Sequence, residues 1–91
     1  GLEQMARVLA YYLAHDIITV NGISPGFFPS RMTAHIVEDE AADRAMLEKA
    51  RFPRHGKAED LAGLAIYLCS RSGAYVTGAI IPVDGGMLLS C

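Results

Sequence analysis

The sequence lacks the features that mark metal, nucleic-acid and membrane proteins. Its two cysteines, Cys69 and Cys91, have no metal-ligand spacing, and they do not demand an oxidising compartment. Eight Lys and Arg against ten Asp and Glu give a net charge of -2, without the basic stripe that binds nucleic acids. No apolar run approaches the roughly 20 residues of a membrane span. We therefore expect a cytoplasmic protein with no metal and with no nucleic-acid or membrane partner.

What the chain has in excess is apolar surface. Of its 91 residues, 52% are hydrophobic, and the mean hydropathy is +0.26. A chain this short, folding alone, hides only about 60–65% of the surface that its unfolded form exposes. Two explanations remain open: the chain packs its apolar faces against partner chains, or it is a piece of a larger domain. Its first residues already lie in a helical pattern with no capping residue before them, which favours a preceding segment.

Hydrophobic periodicity predicts a helix and then a buried strand. Residues 1–15 carry apolar side chains at three- and four-residue steps. This stripe consists of Leu2, Met5, Ala6, Leu9, Tyr12 and Leu13. Val8 and Tyr11 lie off the stripe, so we expect the helix to be buried on more than one side. Residues 17–23 form a β-branched run with little alternation, which is typical of an interior parallel strand.

Helices dominate the middle of the chain. Residues 31–51 predict one helix or two short ones, and residues 58–70 predict the clearest helix. The apolar stripe of the latter consists of Leu61, Leu64, Ala65, Leu68 and Cys69. Cys69 is accordingly predicted to be a small core residue. Cys91 is predicted to be a mobile terminal residue.

A final strand is predicted at residues 79–83. Pro82 cannot donate to a ladder, so this should be an edge strand or a strand end. The order of elements is helix, strand, helices, helix and strand. That order predicts the closing half of an open α/β sheet, because a helix followed by such a strand is the second half of a βαβ unit.

The corner after the first strand is the best candidate for a binding site. In open α/β sheets, ligands bind beyond the carboxyl ends of the strands, and Pro25 and Gly26 stand at such an end. Gly26 would let a flat ligand approach the backbone. The amides of Phe27 and Phe28 and the hydroxyl of Ser30 could then hold a carboxamide or a phosphate. An ordinary turn that ends a strand is the alternative interpretation.

The remaining polar residues give weaker indications. His15, His35 and His55 are spread along the chain without a metal-ligand spacing. His55 is expected to be a solvated turn residue, whereas His35 lies beside the candidate corner and has a better case for a role. Asp84 precedes two glycines, and we predict that it forms a turn by bonding its own backbone.

Five short motifs occur in a fixed order along the chain. They are TVNGISPG (residues 19–26), SRMT (30–33), RHGKAED (54–60), YVTG (75–78) and VDGG (83–86). The ordered set resembles the C-terminal part of the classical short-chain dehydrogenase/reductase family, over nearly the whole chain. Within that family, FPSRMT (28–33) with His35 and Ile36 looks most like 3-oxoacyl-carrier-protein reductases, including the rhamnolipid-biosynthesis type.

The resemblance implies the C-terminal portion of a Rossmann-like, doubly wound parallel sheet: its last two strands and flanking helices. Residues 1–91 would belong to a single Rossmann-fold domain that uses NAD or NADP on a carbonyl or alcohol substrate. Pro25 and Gly26 would lie against the nicotinamide, the Phe28 backbone would bond its carboxamide, and the Ser30 hydroxyl would lie nearby. Residues 31–51 would cover the substrate. The substrate contacts implied there are Met32, His35 and Ile36. The first helix would pack in a homo-oligomer, a dimer or a tetramer.

Two parts of the family pattern are absent from the sequence. It has no Gly-x-x-x-Gly-x-Gly phosphate loop, so we expect the N-terminal nucleotide-binding half to lie outside it. It also has no Tyr-x-x-x-Lys, and it therefore contains no predicted catalytic residue. We expect the catalytic pair just upstream of Gly1. The alternative is a truncated, inactive fragment or a scaffold subunit that keeps the family's interfaces.

Overall fold

A computed structural model describes residues 1–89, apart from the side chain of Thr33. Cys91, which was expected to be mobile, lies outside the described residues. The architecture is α/β, as the sequence predicts. In chain order, the elements are α1 (Leu2–Leu13), β1 (Gly22–Pro25), α2 (Ala34–Glu38), α3 (Glu40–Lys49), α4 (Ala58–Cys69) and β2 (Ile80–Val83). Short 3-10 helices cover Ala14–Asp16, Arg31–Thr33 and Arg71–Gly73.

The chain divides into two compact units. The first unit contains residues 1–24 and 62–82. The second contains residues 25–61 and the described residues from 83 onward. No helix within residues 1–89 is long and apolar enough to cross a membrane.

The two strands pair in parallel. The Gly22 N–H donates to the Ala79 carbonyl at 2.9 Å, and the Gly26 N–H donates to the Val83 carbonyl at 2.9 Å. The register is therefore constant along the pair, as a parallel ladder requires. Pro82 is exposed within β2, and it has no N–H to donate to a neighbouring strand. Both strands of a two-stranded pair lie at an edge, so the edge position of β2 in a larger sheet stays a prediction.

The first strand is shorter than the sequence predicts. It begins at Gly22, so the prediction is wrong for residues 17–21. Ile17 instead ends the 3-10 helix Ala14–Asp16 in the left-handed region, at φ 60° and ψ 39°. Because β-branched residues rarely adopt this conformation, a β-branched run gives no warning of a turn. The predicted burial on both faces is also wrong within this chain, since β1 is half-buried and exposed at Pro25.

Side chains continue the strand pairing before β1. The Asn21 amide donates to the Val76 carbonyl at 2.9 Å, and its oxygen accepts the Ala79 N–H at 3.0 Å. The Val20 N–H donates to the Thr77 hydroxyl at 3.1 Å. These bonds satisfy backbone groups that a regular ladder would otherwise pair.

Helix α1 buries only a narrow face within the first unit. Ala10 is the one buried hydrophobic residue of residues 1–89, at 4% exposure, and Ala6 and Leu13 are half-buried. The larger apolar side chains of this helix are exposed: Leu2, Met5, Val8, Leu9, Tyr11 and Tyr12. The expected burial on more than one side is therefore not found within this chain. The residue facing Ala10 is small: it is Gly78, where an added Cβ would lie 3.7 Å from the Ala10 Cβ.

Helix α4 follows its predicted bounds closely, but it buries fewer residues than predicted. Leu61, Leu64 and Leu68 are half-buried, at i, i+3 and i+7. Ala65 and Cys69 are exposed. The prediction that Cys69 is a core residue is wrong, because the side of the helix that carries it and Ala65 remains open in this chain.

The middle of the second unit forms two short helices, one of the two predicted alternatives. The break lies at Asp39, which has extended backbone angles of φ -87° and ψ 109°. Its carboxylate accepts the N–H groups of Ala41 and Ala42 at 3.1 and 3.3 Å. Asp39 is therefore the N-cap of α3, a role that aspartate fills well.

Candidate functional site

The corner after β1 is a close approach of two strand ends. The Gly26 N–H binds the Val83 carbonyl and extends the ladder by one bond. A Cβ added to Gly26 would lie 2.7 Å from the Asp84 Cα. Real side chains do not tolerate such contacts with backbone, so only glycine fits without a shift. Gly26 thus has a packing role that is independent of any ligand.

The turn after β2 has the form predicted for Asp84. Its carboxylate accepts the Gly86 N–H at 2.9 Å. Gly85 and Gly86 have positive φ angles of 61° and 88°, which suit glycine. The Gly85 carbonyl accepts the N–H groups of Arg51 and Phe52, at 2.8 and 3.0 Å. This turn therefore fixes the segment that follows α3.

Phe27 and Phe28 are held by the segment that precedes α4. The Phe27 carbonyl accepts the Gly56 N–H at 3.2 Å. The Phe28 ring lies where a Cβ on Gly56 would clash with it. Among the hydrogen bonds of residues 1–89, none uses the Phe28 backbone. Its N–H is thus available to a ligand, whereas the side chain is fixed.

A cavity of about 170 Å³ opens inside the second unit. Its apolar lining includes Phe27, Phe28, Met46, Leu47, Phe52 and Met87. Polar groups of Arg54, His55 and Asp60 also line it. Concave, mostly apolar spaces with a few polar groups are typical of small-molecule sites.

An ion pair braces the polar side of this cavity. The Arg54 guanidinium makes two bonds to the Asp60 carboxylate, at 2.8 and 3.3 Å. The carboxylate also accepts the Lys57 N–H at 2.8 Å. The hydrogen bond from Arg54, followed by that from the Lys57 backbone, lowers the pKa of Asp60. The same bond to Asp60 raises the pKa of Arg54.

His55 is not the solvated turn residue that the sequence suggests. Its side chain is only 16% exposed, and its Nε2 contacts the Asp43 carboxylate of α3. Its ring meets the Phe27 ring edge-on, with centroids 4.9 Å apart. The prediction failed because the partner carboxylate lies on a different element, where no local spacing marks it.

The structure places the predicted site residues in two groups. Gly26 and Phe28 are half-buried at the strand-end corner, and Pro25 is exposed beside them. Four predicted residues lie on the segment that follows: Ser30, Met32, His35 and Ile36. Met32 is 86% exposed, His35 is exposed, and Ile36 is half-buried in α2. Ser30 is exposed and makes an interaction within the chain. These ligand roles remain predictions.

No group of three or more His, Cys, Asp or Glu side chains in the described part of the chain could hold a metal ion. The polar contacts that the sequence did not predict include Asn21 with Val76 and Ala79, and Asp43 with His55. A single polar amide within an apolar run was the one signal available for Asn21.

Comparisons with known proteins identify the family. A family model described as enoyl-(acyl carrier protein) reductase matches residues 1–88. The rhamnolipids biosynthesis 3-oxoacyl-[acyl-carrier-protein] reductase of Pseudomonas aeruginosa is 48% identical over 98% of this chain and 35% of its own length. The 5-keto-D-gluconate 5-reductase of Escherichia coli is 37% identical, over 99% of this chain and 35% of its own length.

The fold agrees with these relatives. The structure of a Pseudomonas aeruginosa RhlG/NADP active-site complex matches with a TM-score of 0.89 and 48% identity. The match covers 97% of this chain and 36% of that chain. The chain thus spans about a third of the length of the relatives that it matches. Together, the ordered motifs, the α/β fold and these matches show that the chain belongs to the short-chain dehydrogenase/reductase family.

Proposed function

We propose that this chain is the C-terminal portion of a single-domain NAD(P)-dependent oxidoreductase. The full-length protein would transfer a hydride between the nicotinamide and a carbonyl or alcohol substrate. Family membership supports this proposal, as do the NADP complex of one relative and the reductase names of two others. The chain covers 35% of the length of one relative, which supports further residues beyond it, and the ordered motifs favour a nucleotide-binding half that precedes them.

The observation that carries the proposal is the corner after β1. Its backbone is fixed by the bond from Gly26 to Val83, while the Phe28 N–H makes no bond within the described residues. A fixed loop with an available donor at the carboxyl end of a strand suits a carboxamide. The nicotinamide, when bound, supplies or accepts the hydride. Pro25 and Gly26 would lie against it, the Phe28 backbone would bond the carboxamide, and Ser30 would add a hydroxyl.

Residues 31–51 would form the cover over the substrate. Met32 and His35 are exposed on this segment, and Ile36 is half-buried. Exposed side chains that lie just beyond a cofactor loop are available to a substrate. The end of the segment is fixed where Arg51 and Phe52 bond the Gly85 carbonyl.

The proton step would depend on residues outside this chain. In the family that the motifs resemble, a tyrosine passes a proton to the carbonyl oxygen, and a lysine lowers the pKa of that tyrosine. None of the four tyrosines here has a lysine four residues later. We place the catalytic pair in preceding residues, next to α1.

The exposed side of α1 would form a homo-oligomer interface. Leu2, Met5, Tyr11 and Tyr12 are each at least 58% exposed. Exposed apolar groups of this size on one helix are typical of interaction surfaces. The oligomer would be a dimer or a tetramer.

The direct test is turnover by the full-length protein. We expect oxidation of NADPH or NADH with acetoacetyl-coenzyme A or 5-keto-D-gluconate as the carbonyl probe. Ser30→Ala should raise the Michaelis constant for the cofactor about tenfold, the size of a lost hydrogen bond to a charged or strongly polar group. Ser72→Ala, at an exposed serine of the first unit, is the matched control. An unchanged cofactor constant would remove Ser30 from the site.

The second candidate is an inactive fragment or scaffold subunit. It is favoured by the lack of a Tyr-x-x-x-Lys in the sequence together with the exposed apolar side of α1. The two candidates share one expectation for the 91-residue chain alone: no turnover and no tight dinucleotide binding in a fluorescence titration. Only the full-length protein separates them, because turnover there contradicts the scaffold.

A further inference from the structure

The turn that carries His55 is held by hydrogen bonds on both sides. Arg54 binds Asp60 through two bonds and donates to the His55 carbonyl at 3.0 Å. The Lys57 N–H binds the same carboxylate, and the Gly56 N–H binds the Phe27 carbonyl. The backbone on each side of His55 is therefore bonded to neighbouring segments.

From this fixed turn, the His55 side chain reaches two different segments. Its ring packs edge-on against Phe27, two residues after the end of β1. Its Nε2 contacts the Asp43 carboxylate in the first turns of α3. The side chains of His55 and Asp43 are 16% and 27% exposed, so water screens this contact less than it screens the surface pair of Arg44 and Glu40.

Asp43 is connected through the backbone to a residue predicted to contact the substrate. The Asp43 N–H binds the Asp39 carbonyl at 2.8 Å, and the Asp39 N–H binds the His35 carbonyl at 3.2 Å. Within residues 1–89, the contact with His55 is the one hydrogen-bonding side-chain link from α3 to another segment. Asp43 and His35 are thus linked by two successive backbone hydrogen bonds, through which a displacement of Asp43 would act on His35.

We propose that His55 is a positioning residue that fixes α3 and α2 relative to the loop after β1. This inference rests on the proposed function, in which that loop holds the nicotinamide and residues 31–51 cover the substrate. His55 would hold the cover in the position at which Met32, His35 and Ile36 meet the substrate. It does not itself touch the substrate or the cofactor.

The test compares two substitutions at His55 in the full-length protein. His55→Phe keeps a ring against Phe27 but cannot bond Asp43, whereas His55→Gln keeps an N–H donor near the position of Nε2. With acetoacetyl-coenzyme A, we expect His55→Phe to raise the substrate Michaelis constant about tenfold, because it removes a hydrogen bond to a carboxylate. The dissociation constant for NADPH should stay within about twofold. His55→Gln should restore most of the loss, and His15→Gln is the control at an exposed histidine.

Two further measurements separate positioning from a general loss of structure. The double variant Asp43→Ala with His55→Phe should show no larger change than either single variant, because all three remove one contact. Backbone amides of residues 40–49 should exchange hydrogen several-fold faster in His55→Phe than in the wild type. Additive effects, an unchanged substrate constant, or an equal weakening of NADPH binding would each overturn the proposal.

Failure of the proposed function would look different. A wild-type protein without nicotinamide turnover contradicts that function and, with it, the role of His55 in a reaction. In that case, the hydrogen-exchange measurement still tests whether His55 holds α3 in place. Faster exchange in His55→Phe, reversed in His55→Gln, supports the tether to α3, and unchanged exchange overturns it.

Discussion

Each of the two units of this chain is stabilised internally by a different kind of interaction. In the first unit, the backbone groups of two segments are joined by Asn21 and Thr77, and small residues such as Ala10 and Gly78 fill the contact with α1. In the second unit, a cavity is lined by aromatic side chains and by the ion pair of Arg54 and Asp60. Each unit also exposes large apolar side chains, such as Tyr11 in the first and Met32 in the second.

This difference separates general stability from ligand-related geometry. A network of backbone bonds and small residues tolerates few changes of shape, because close approach leaves no room for larger groups. A cavity that is held by a few ion pairs can change shape when a single side chain is replaced, because the segments that line it can shift. We therefore expect substitutions in the first unit to act mainly on folding, and substitutions in the second to act on the position of segments.

The largest effect should come from Asn21→Ala in the first unit. It removes two hydrogen bonds and leaves the Val76 carbonyl and the Ala79 N–H unpaired in a half-buried place. We expect a loss of about 2–4 kcal/mol in the free energy of unfolding, measured by urea denaturation of the full-length protein. Thr77→Val, which removes only the acceptor for Val20, should cost less. Equal effects of the two substitutions would contradict the central role of Asn21.

The sequence predicted the elements of both units better than the contacts within them. Helices α1 and α4 follow from periodicity, and β2 lies within the predicted strand 79–83, because these signals are local. The turn at Ile17 could not be predicted, since its left-handed backbone runs against the preference of a β-branched residue.

The contacts within each unit depend on residues that are distant in sequence. His55 and Asp43 lie 12 residues apart, and Asn21 lies 55 residues from Val76. No single-sequence spacing links such residues, because the intervening elements set their distance. The corner at Gly26 was predicted as a site, but its packing against Asp84 was not, for the same reason.

A pair of glycine substitutions should give the next largest effect and sharpen the comparison. Gly26→Ala places a Cβ 2.7 Å from the Asp84 Cα in the second unit, whereas a Cβ at Gly63 in α4 meets nothing within 4 Å. We expect Gly26→Ala to destabilise the full-length protein by about 1–3 kcal/mol through overpacking. Gly63→Ala should stabilise it by up to about 1 kcal/mol, because alanine favours a helix interior.

The stability of both glycine variants is measured by thermal unfolding, and the NADPH dissociation constant is measured as a second readout. If Gly26→Ala weakens NADPH binding more than it weakens folding, then the corner belongs to the cofactor site as proposed. A Gly26→Ala protein as stable as Gly63→Ala would show that the strand ends separate easily, and the close approach at Asp84 would then not matter for folding.

The smallest effect should come from pH and the pair of Arg54 and Asp60. The hydrogen bonds from Arg54 and the Lys57 backbone lower the pKa of Asp60 below its usual 3.8. A carboxyl group with a lowered pKa in the folded state contributes stability above its ordinary pKa, and it loses that contribution as the pH falls toward the lowered value. We therefore expect the stability that Asp60 provides to be constant near neutral pH and to decline below about pH 4.

The melting temperature, followed from pH 6 down to pH 3, tests this sign. Asp60→Asn should show a shallower decline than the wild type, because no proton binds at that position. Arg54→Met should remove only part of the pH dependence, since the Lys57 N–H still binds the Asp60 carboxylate. If both variants decline as steeply as the wild type, the pair contributes nothing to the second unit. The turn at residues 54–57 would then be held by the hydrogen bond from Gly56 to Phe27. The contact between Asp43 and His55 would remain as a polar side-chain interaction that stabilises this unit.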